Sequence, residues 1–264
     1  KDTEPTGHCD CITKGKNSHC TTSKYSMHDL PEYPVHAISR INKNKLIELI
    51  DNNIFSIHDV PNDFALSDNQ RRQVDTAQTG KEYIDTPGIK DFLSHIHYPI
   101  AFLDYETYPS AIPRFNDYRP YQQIPFQYSL HVIDSPNGES SHFDFIHTGD
   151  QNPDEFFAIS LQKHLPEKGS VIVWNERFEK GINSQIADRI PDYKTFMESV
   201  NDRVVDLMVP FYGKTTMYDH PKFKGSASIK KVQQVLAPDF SYKDLGVQNG
   251  TDAIEAYRQI HKGE

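Results

Sequence analysis

From residue 98 onward, the chain alternates short apolar segments with amphipathic ones, and their order constrains the fold more than any other feature. Residues 98–106 predict the first strand, since an apolar run with a proline at its start is typical of one. The segments that follow are strands at 126–133 and 143–145, a helix at 153–164, a strand at 171–174, helices at 178–186 and 192–200, and a strand at 203–207. This order predicts an α/β fold in which an antiparallel meander of three strands is extended by two parallel strands, with helices packed on the sheet.

Residues 31–97 predict a small helical module before this sheet. An apolar stripe predicts a helix over residues 42–51, and Ser67 with Gln70 forms a capping box that opens a second helix. Two short helices around a loop that contains Pro61 resemble helix–hairpin–helix units, which hold the backbone of nucleic acids. A purely structural spacer fits the same pattern, so both interpretations stay open.

All three cysteines of the chain lie in the segment 1–30. Cys9, Cys11 and Cys20 are close enough in sequence to converge on one soft metal ion. His19 or His8 could complete a tetrahedral Zn²⁺ site, and a fourth ligand before Lys1 would also allow an iron–sulfur cluster. The alternative is a segment of reduced thiols that binds no metal.

The composition excludes several classes of protein. No apolar run approaches the roughly 18 residues of a membrane span, so no membrane association is expected. Three cysteines in 264 residues are too few for a disulfide scaffold. The net charge of −9 argues against a surface that coats nucleic acid broadly, but not against an enzyme whose carboxylates hold cations next to a phosphate. The chain begins at Lys1 without a secretory signal, which predicts a piece of a longer cytoplasmic protein.

Asp104 and Glu106 end the first predicted strand. Because side chains alternate along a strand, both carboxylates project from the same face. Paired like charges are unfavourable unless a cation lies between them, and two carboxylates are what a Mg²⁺ or Mn²⁺ site needs. A solvated acidic pair is the alternative, and we expect burial at the end of an apolar strand to make it unfavourable.

A second acidic motif follows the strand at 171–174, where Asn175 precedes Glu179 in the first turn of a helix. Sites in α/β sheets form beyond the carboxyl ends of the strands, so Glu179 would face Asp104 and Glu106 if their strands are neighbours. Three carboxylates could then hold two metal ions about 3.5–4 Å apart, the arrangement for phosphoryl displacement. The alternative is a glutamate that only stabilises the start of its helix through the helix dipole.

These motifs resemble those of the DEDD superfamily of 3′–5′ exonucleases, which have a ribonuclease H-like fold. Asp104 and Glu106 match the first motif, and Asn175 with Glu179 matches the second, although the usual acid there is Asp. Asn175 is accordingly a candidate contact to the substrate. Asp206 corresponds to an aspartate after the fifth strand that more often supports or caps than binds metal. The resemblance implies a five-stranded mixed sheet with flanking helices and metal-dependent phosphodiester hydrolysis, with Asp206 added to the catalytic set.

The fourth acid of these enzymes lies in a Y-x-x-x-D or H-x-x-x-x-D motif on a helix after the fifth strand. Neither spacing occurs after Glu106, and the last predicted helix covers residues 252–260. We therefore expect the domain over residues 98–264 to be truncated at its carboxyl end and weakly active or inactive. Asp206 is the nearest candidate for the missing position.

A closer resemblance is to an uncharacterised bacterial domain family whose members often follow a RecB-like nuclease module. The segments that carry it are Cys9–Cys11, His19–Cys20, Phe102–Thr107, Ala111–Pro113, Arg119–Gln127 and Gly225–Lys230. It implies a nuclease of DNA repair or defence, with nucleic acid as its partner and DNA favoured over RNA. A catalytically inactive nucleic-acid-binding or assembly module on the same fold is the alternative.

Two further segments carry candidate contacts to the substrate. Arg119, Tyr121 and Gln122 combine a cation, an aromatic ring and an amide, a mixture that suits single-stranded nucleic acid. Lys224 and Lys230 belong to a lysine-rich stretch, residues 214–231, which ends in the first turn of a predicted helix over 229–236. A helix N-terminus with adjacent lysines favours the binding of phosphate. The alternatives are a proline-rich loop that packs on the sheet and a solvated lysine face.

Overall fold

A computed structural model describes residues 7–213, 216–240 and 250–262. The α-helices are, in chain order, α1 (Ser23–Ser26), α2 (Lys43–Asp51), α3 (Asp68–Thr79), α4 (Thr86–Ser94), α5 (Asp154–His164), α6 (Glu176–Arg189), α7 (Lys194–Asp202), α8 (Ile229–Leu236) and α9 (Gly250–Lys262). The strands are β1 (Tyr83–Ile84), β2 (Ile100–Pro109), β3 (Gln123–Ile133), β4 (Ser140–Ile146), β5 (Ser170–Val173), β6 (Val204–Asp206) and β7 (Tyr218–Asp219). Within the described ranges, no helix is long and apolar enough to cross a membrane.

The chain divides into two compact units. The first combines Lys1–Ile89 with Val209–Ala237, and the second combines Lys90–Met208 with Pro238–Glu264. The sequence-based division into 1–30, 31–97 and 98–264 remains a prediction. The units differ from it mainly because a later segment of the chain returns to the first unit.

The first unit contains the predicted helical module. The core of this module includes Leu46 and Leu49 of α2 and Val74 of α3, all fully buried. The capping box of α3 is present: the Ser67 hydroxyl accepts from the backbone N–H of Gln70, and the Gln70 side chain accepts in return from the Ser67 N–H. The two helices predicted for this module are therefore confirmed.

Helix α4 was not predicted from the sequence. It begins with a threonine, a proline and a glycine, which are poor helix formers in a helix interior. The Asp85 carboxylate accepts a hydrogen bond from the Gly88 backbone N–H at 3.0 Å, which satisfies one of the free donors of the first turn. Asp85 followed by Pro87 in the first turn is the signal that could have revealed this helix.

The second unit is built on a five-stranded mixed sheet with the strand order β4-β3-β2-β5-β6. β3 pairs antiparallel with both β2 and β4, whereas β5 pairs parallel with both β2 and β6. This is the predicted arrangement of a three-stranded meander extended by two parallel strands, consistent with a ribonuclease H-like fold. Gly169 lies just before β5 at φ +87, where a side chain would meet the Pro99 backbone oxygen at 2.0 Å, so only glycine fits.

The three antiparallel strands of this sheet, β2, β3 and β4, have two different faces. Side chains on one face form the core with helices α5, α6 and α7, and those from the strands include Leu103, Tyr105, Tyr128, Leu130, Phe143 and Phe145. The register places a second set on the opposite face, which we call the open face: Phe102, Asp104 and Glu106 of β2, Gln127, Ser129 and His131 of β3, and His142, Asp144 and Ile146 of β4. The period of two along each strand therefore separates an apolar core from a mostly polar surface.

Helix α9 packs against the end of β2 and β3, close to the bounds predicted for the last helix. The Tyr257 ring stacks on Phe126 with ring centroids 4.0 Å apart, and Ala253 is buried in the same cluster. The second unit thus includes a helix after its last strand.

A buried ion pair ties the segment between β2 and β3 to the helices. Asp154 is fully buried and accepts hydrogen bonds from Arg189 Nε and from the Tyr118 hydroxyl, both at 2.6 Å. The Arg189 guanidinium also lies over the Tyr118 ring, 4.0 Å from its centroid. This network fixes the segment that precedes Arg119, because each buried charge has a partner.

Replacing Asp154 by Ala should reduce the free energy of unfolding of this unit by about 3–5 kcal/mol, because the Arg189 charge would remain buried without its partner. Chemical denaturation measures the loss. The matched control is Asp150→Ala, which removes an exposed pair with Arg114 at 3.0 Å and should cost less than about 1 kcal/mol. Equal losses in the two variants would contradict the assignment.

Candidate active site

Strand β2 carries Asp104 and Glu106 on the open face, as the strand period predicts. Asp104 lies opposite Ser129 and Glu106 opposite Gln127, and a register shift directly after Glu106 ends this regular pairing. Asp104 is exposed and Glu106 is half-buried. The side chain of Asp104 is therefore not buried, contrary to the expectation for this pair. The protein atoms around its carboxyl nevertheless reduce its hydration, and this raises its pKa.

The parallel strands bring the second acidic motif to the same region. Phe102 pairs with Ile172, and Val173 pairs with Asp206, so β5 ends level with the middle of β2. The strands that carry the two acidic motifs are neighbours, as the sequence argument requires. Glu179 follows in the first turn of α6, beyond the carboxyl end of β5.

Glu179 is the most unusual group of this region. It is only 2% exposed, and its Oε2 atom has no hydrogen-bond partner among the described residues. Burial, together with the charges of Asp104 and Asp206, raises the pKa of Glu179 to about 8. The interpretation that Glu179 only stabilises its helix through the dipole does not account for this buried, unpaired oxygen.

Asp206 has the capping role that the sequence analysis favoured. Its Oδ1 atom accepts hydrogen bonds from the backbone N–H groups of Asn175 at 2.8 Å and Met208 at 2.9 Å. Asn175 lies in the left-handed region at φ 79 and ψ 72, a conformation unusual for a residue other than glycine. Asp206 therefore holds the turn that starts α6 and positions Glu179.

The three carboxylates do not form one tight group. Across the described ranges, only the three cysteines bring three donor atoms within 4.8 Å of one another. Asp104, Glu106 and Glu179 lie farther apart than this limit. A centre of two ions spreads its ligands more widely than a single ion does, because each ligand need only reach one of them.

The loop between β2 and β3 presents two of its three predicted contact residues to solvent. The Arg119 side chain is exposed, and Tyr121 is 70% exposed. Gln122 instead anchors the loop: its Nε2 donates to Gln185 Oε1 of α6 at 2.7 Å, and its Oε1 accepts from the Arg119 N–H at 2.9 Å. The loop is thus fixed to α6 while its cation and aromatic ring remain accessible.

The predicted lysines belong to the first unit, whereas the carboxylates belong to the second. Lys224 forms an ion pair with Glu32, and Lys230 lies in the first turn of α8, a helix at the predicted bounds. Lys214 lies outside the described residues. The structure therefore groups the lysines with the helical module and leaves their contact with substrate a prediction.

The cysteines converge in the first unit, and their arrangement could bind a metal ion. The Sγ atoms of Cys11 and Cys20 are 3.4 Å apart, and Cys11 is buried. Hydrogen bonds from Thr22 and Cys11 lower the pKa of Cys20 to about 7, which favours the thiolate that metals bind.

Neither predicted histidine belongs to this cysteine group. His19 Nε2 bonds the Lys14 carbonyl oxygen and His8 Nε2 bonds the Asp29 carboxylate, each at 2.8 Å. The sequence analysis did not single out His36, which is 1% exposed and has an Nδ1 atom without a partner among the described residues. Its other nitrogen bonds the carbonyl oxygen of Ile12 at 2.7 Å, and nothing in the sequence distinguishes it from a core histidine.

Comparisons with known proteins identify relatives but no activity. Residues 101–228 match the family model described as a domain of unknown function, DUF2779. The chain is 30% identical over 173 residues to the uncharacterized protein MG366 of Mycoplasma genitalium, an alignment that covers 59% of this chain and 26% of that protein. The chain therefore spans about a quarter of the length of that relative. No solved structure gives a significant match.

The raised pKa of Glu179 predicts how stability depends on pH when a chelator removes divalent cations. Between about pH 4.5 and pH 8 the folded protein keeps the Glu179 proton that the unfolded chain has lost, so the free energy of unfolding should fall as pH rises through this window. Glu179→Gln has no proton to lose and should show a flatter profile. Denaturation at a series of pH values measures both.

Glu176→Gln is the matched control, because Glu176 lies in the same turn but forms an ion pair with Lys180 at 2.8 Å and is accessible to solvent. The control should keep the pH profile of the natural chain. Identical profiles for Glu179→Gln and the natural chain would show that Glu179 is not the titrating group.

Proposed function

We propose that the second unit is a divalent-metal-dependent nuclease domain that hydrolyses phosphodiester bonds in the manner of 3′–5′ exonucleases. The observation that carries the proposal is the buried Glu179 carboxyl, which has an unpartnered oxygen and lies close enough to Asp104 and Asp206 for their charges to raise its pKa. Burying an acid beside two others is unfavourable for folding unless a cation neutralises them. Such an arrangement is typical of a cation site.

The residues present fit a hard divalent cation. Mg²⁺ and Mn²⁺ prefer carboxylate oxygens, and the unpartnered Oε2 atom of Glu179 is an available ligand. Asp104, Glu106 and Glu179 would hold the ion or ions. A bound cation of this kind supplies an activated water molecule and neutralises charge that develops on the phosphate.

The other side chains of the region position these ligands. Asp206 holds the turn at Asn175, and the Tyr105 hydroxyl donates to Asn183 Oδ1 at 2.9 Å one turn after Glu179. Exposed Arg119 is a suitable contact for phosphate because a planar guanidinium can donate two parallel hydrogen bonds to phosphate oxygens.

A catalytically inactive module that binds nucleic acid or assembles with partners is the second candidate. It would need the same fold but not an ionisable group at position 179. Destabilising burial of an acid is tolerated mainly where function requires it, and this favours the nuclease. DNA as the substrate, a role in repair or defence, a RecB-like neighbour in the same polypeptide and a cytoplasmic location belong to the same proposal.

Asp104→Asn should abolish binding of Mn²⁺ at this site, because the amide carries no charge for the cation, while the fold stays intact or becomes more stable as repulsion with Glu179 is removed. Isothermal titration calorimetry measures the binding. A nuclease assay with the full-length protein on labelled single-stranded and double-stranded substrates with Mn²⁺ measures the activity, which this substitution should lower by at least about a hundredfold.

The control for this variant is Asp144→Asn. Asp144 shares the open face with Asp104 but lies two strands away, on the edge strand. It should keep the metal affinity and the cleavage rate of the natural chain. Unchanged Mn²⁺ affinity in Asp104→Asn would refute the site, and metal binding without cleavage of any substrate would favour the inactive module.

We also propose that Cys9, Cys11 and Cys20 bind a soft metal, either Zn²⁺ or the iron of an iron–sulfur cluster. The proximity of the three sulfur atoms supports this, since unlinked thiols gain little from convergence alone. The fourth ligand of such a site lies outside the group of three. His19, His8 and a residue before Lys1 remain candidates.

Elemental analysis of protein purified without oxygen should find zinc or iron bound to the natural chain. Cys20→Ser should lose most of that metal, because a serine hydroxyl is a poor ligand for a soft ion. The matched control is His28→Gln, which removes a potential ligand near the cysteines in sequence but outside their group. Absence of both metals from the natural, full-length protein would refute this site.

A further inference from the structure

Three aromatic side chains form a row across the open face of the sheet. The register pairs Phe102 of β2 with His131 of β3, and His131 with His142 of β4. Neighbouring strands lie about 4.8 Å apart, so the rings occupy consecutive positions along one line. Phe102 is 39% exposed, and both histidines are exposed. We call these three residues the aromatic row.

The two histidines of the row are already stacked. Their ring centroids lie 4.2 Å apart with the planes inclined by 16°. His142 Nε2 is hydrogen-bonded to the Ser129 hydroxyl at 3.1 Å, which fixes the orientation of its ring. Partial burial and the neighbouring His142 lower the pKa of His131, so this imidazole is neutral near pH 7. Rings held in a fixed orientation are good surfaces for stacking.

The aromatic row differs from the other rings of these strands. Tyr105, Tyr128 and Phe145 point into the core on the opposite face, where packing accounts for their presence. The side chain of Phe102 gains no such burial. A large ring left exposed on strands whose other phenylalanine and tyrosine rings pack in a core indicates a binding surface.

The row lies next to the proposed active site on the same strand. Phe102 and Asp104 are two residues apart on one face, which corresponds to about 7 Å along the strand. A chain bound across the row would therefore continue to the carboxylates. The side chains on β3 next to Asp104 and Glu106 are the polar Ser129 and Gln127, not aliphatic residues.

We propose that the aromatic row is a stacking platform for the bases of a single-stranded nucleic acid and directs the strand to Asp104. This inference rests on the proposed nuclease function and adds the surface that would bind the strand. Every base has a π-face, so rings on an exposed sheet surface bind a single strand without needing a sequence. A protein interface favours a centre depleted of charged residues, whereas Asp104, Glu106 and Asp144 share this face.

The test measures binding of fluorescein-labelled oligodeoxythymidylate by anisotropy, with Ca²⁺ supplied for the carboxylates. Phe102→Ala and His142→Ala should each weaken binding by about tenfold, the usual effect of removing one stacking ring. Phe102→Trp and His142→Phe keep a ring at each position and should retain affinity within about threefold. An oligouridylate of the same length shows whether the surface distinguishes RNA from DNA.

The matched control is Phe156→Ala. Phe156 is 42% exposed, close to the value for Phe102, but it lies on α5, which packs on the opposite face of the sheet. This variant should bind like the natural chain. Equal losses in Phe156→Ala and Phe102→Ala, or no binding of oligonucleotide to the natural chain, would overturn the platform.

The outcomes separate this inference from the proposed function. If Asp104→Asn abolishes cleavage but Phe102→Ala leaves affinity unchanged, the nuclease stands and the platform is wrong. If the ring variants weaken binding but the full-length protein cleaves no substrate, the platform stands and the nuclease is wrong. If the natural chain is a dimer that Phe102→Ala converts to monomers without affecting oligonucleotide affinity, the row is an interface between copies and the platform is wrong.

Discussion

The arrangement of the candidate site depends on one carboxylate oxygen, Oδ1 of Asp206. It accepts hydrogen bonds from two backbone N–H groups, at Asn175 and Met208, where β5 and β6 end. A carboxylate that accepts two such bonds holds its neighbours firmly, because each charge-assisted bond is stronger than a neutral one. Asn175 is thereby kept in its left-handed conformation, and the helix that carries Glu179 begins at a defined place. Asp206 is thus engaged in positioning the turn that precedes Glu179.

The second organising feature is the difference between the two faces of the sheet. One face buries its aliphatic and aromatic side chains against three helices, so the strands cannot shift register without exposing them. The same register fixes which side chains lie on the open face, although few of them pack into a core. Phe102 and Asp104 are held in adjacent rows by the burial of Leu103 and Tyr105 on the other side. Stability on one face thus secures the geometry of a possible site on the other.

In its surroundings, Glu179 differs from the other acidic residues that the structure describes. The chain is acidic overall, yet Glu179 is the acid whose pKa rises to about 8 and whose buried oxygen is unpartnered within the described ranges. Burial beside Asp104 and Asp206 causes the raised pKa. A bound cation would offset this repulsion and occupy the unpartnered oxygen, and for this reason we propose a cation here. The cysteines form a chemically different group, with soft ligands in the first unit and hard oxygen ligands in the second. We therefore propose two separate metal sites with distinct preferences.

The sequence alone determined the order of the elements in the sheet, the shared face of Asp104 and Glu106, and the capping box at Ser67. These features are local, since they follow from periodicity and from side chains within a few residues. Only the tertiary structure decided that Glu179 is buried while Asp104 is exposed, because burial depends on which helix covers which strand. The aromatic row was equally hidden: His131 and His142 are eleven residues apart, and only strand pairing brings their rings together.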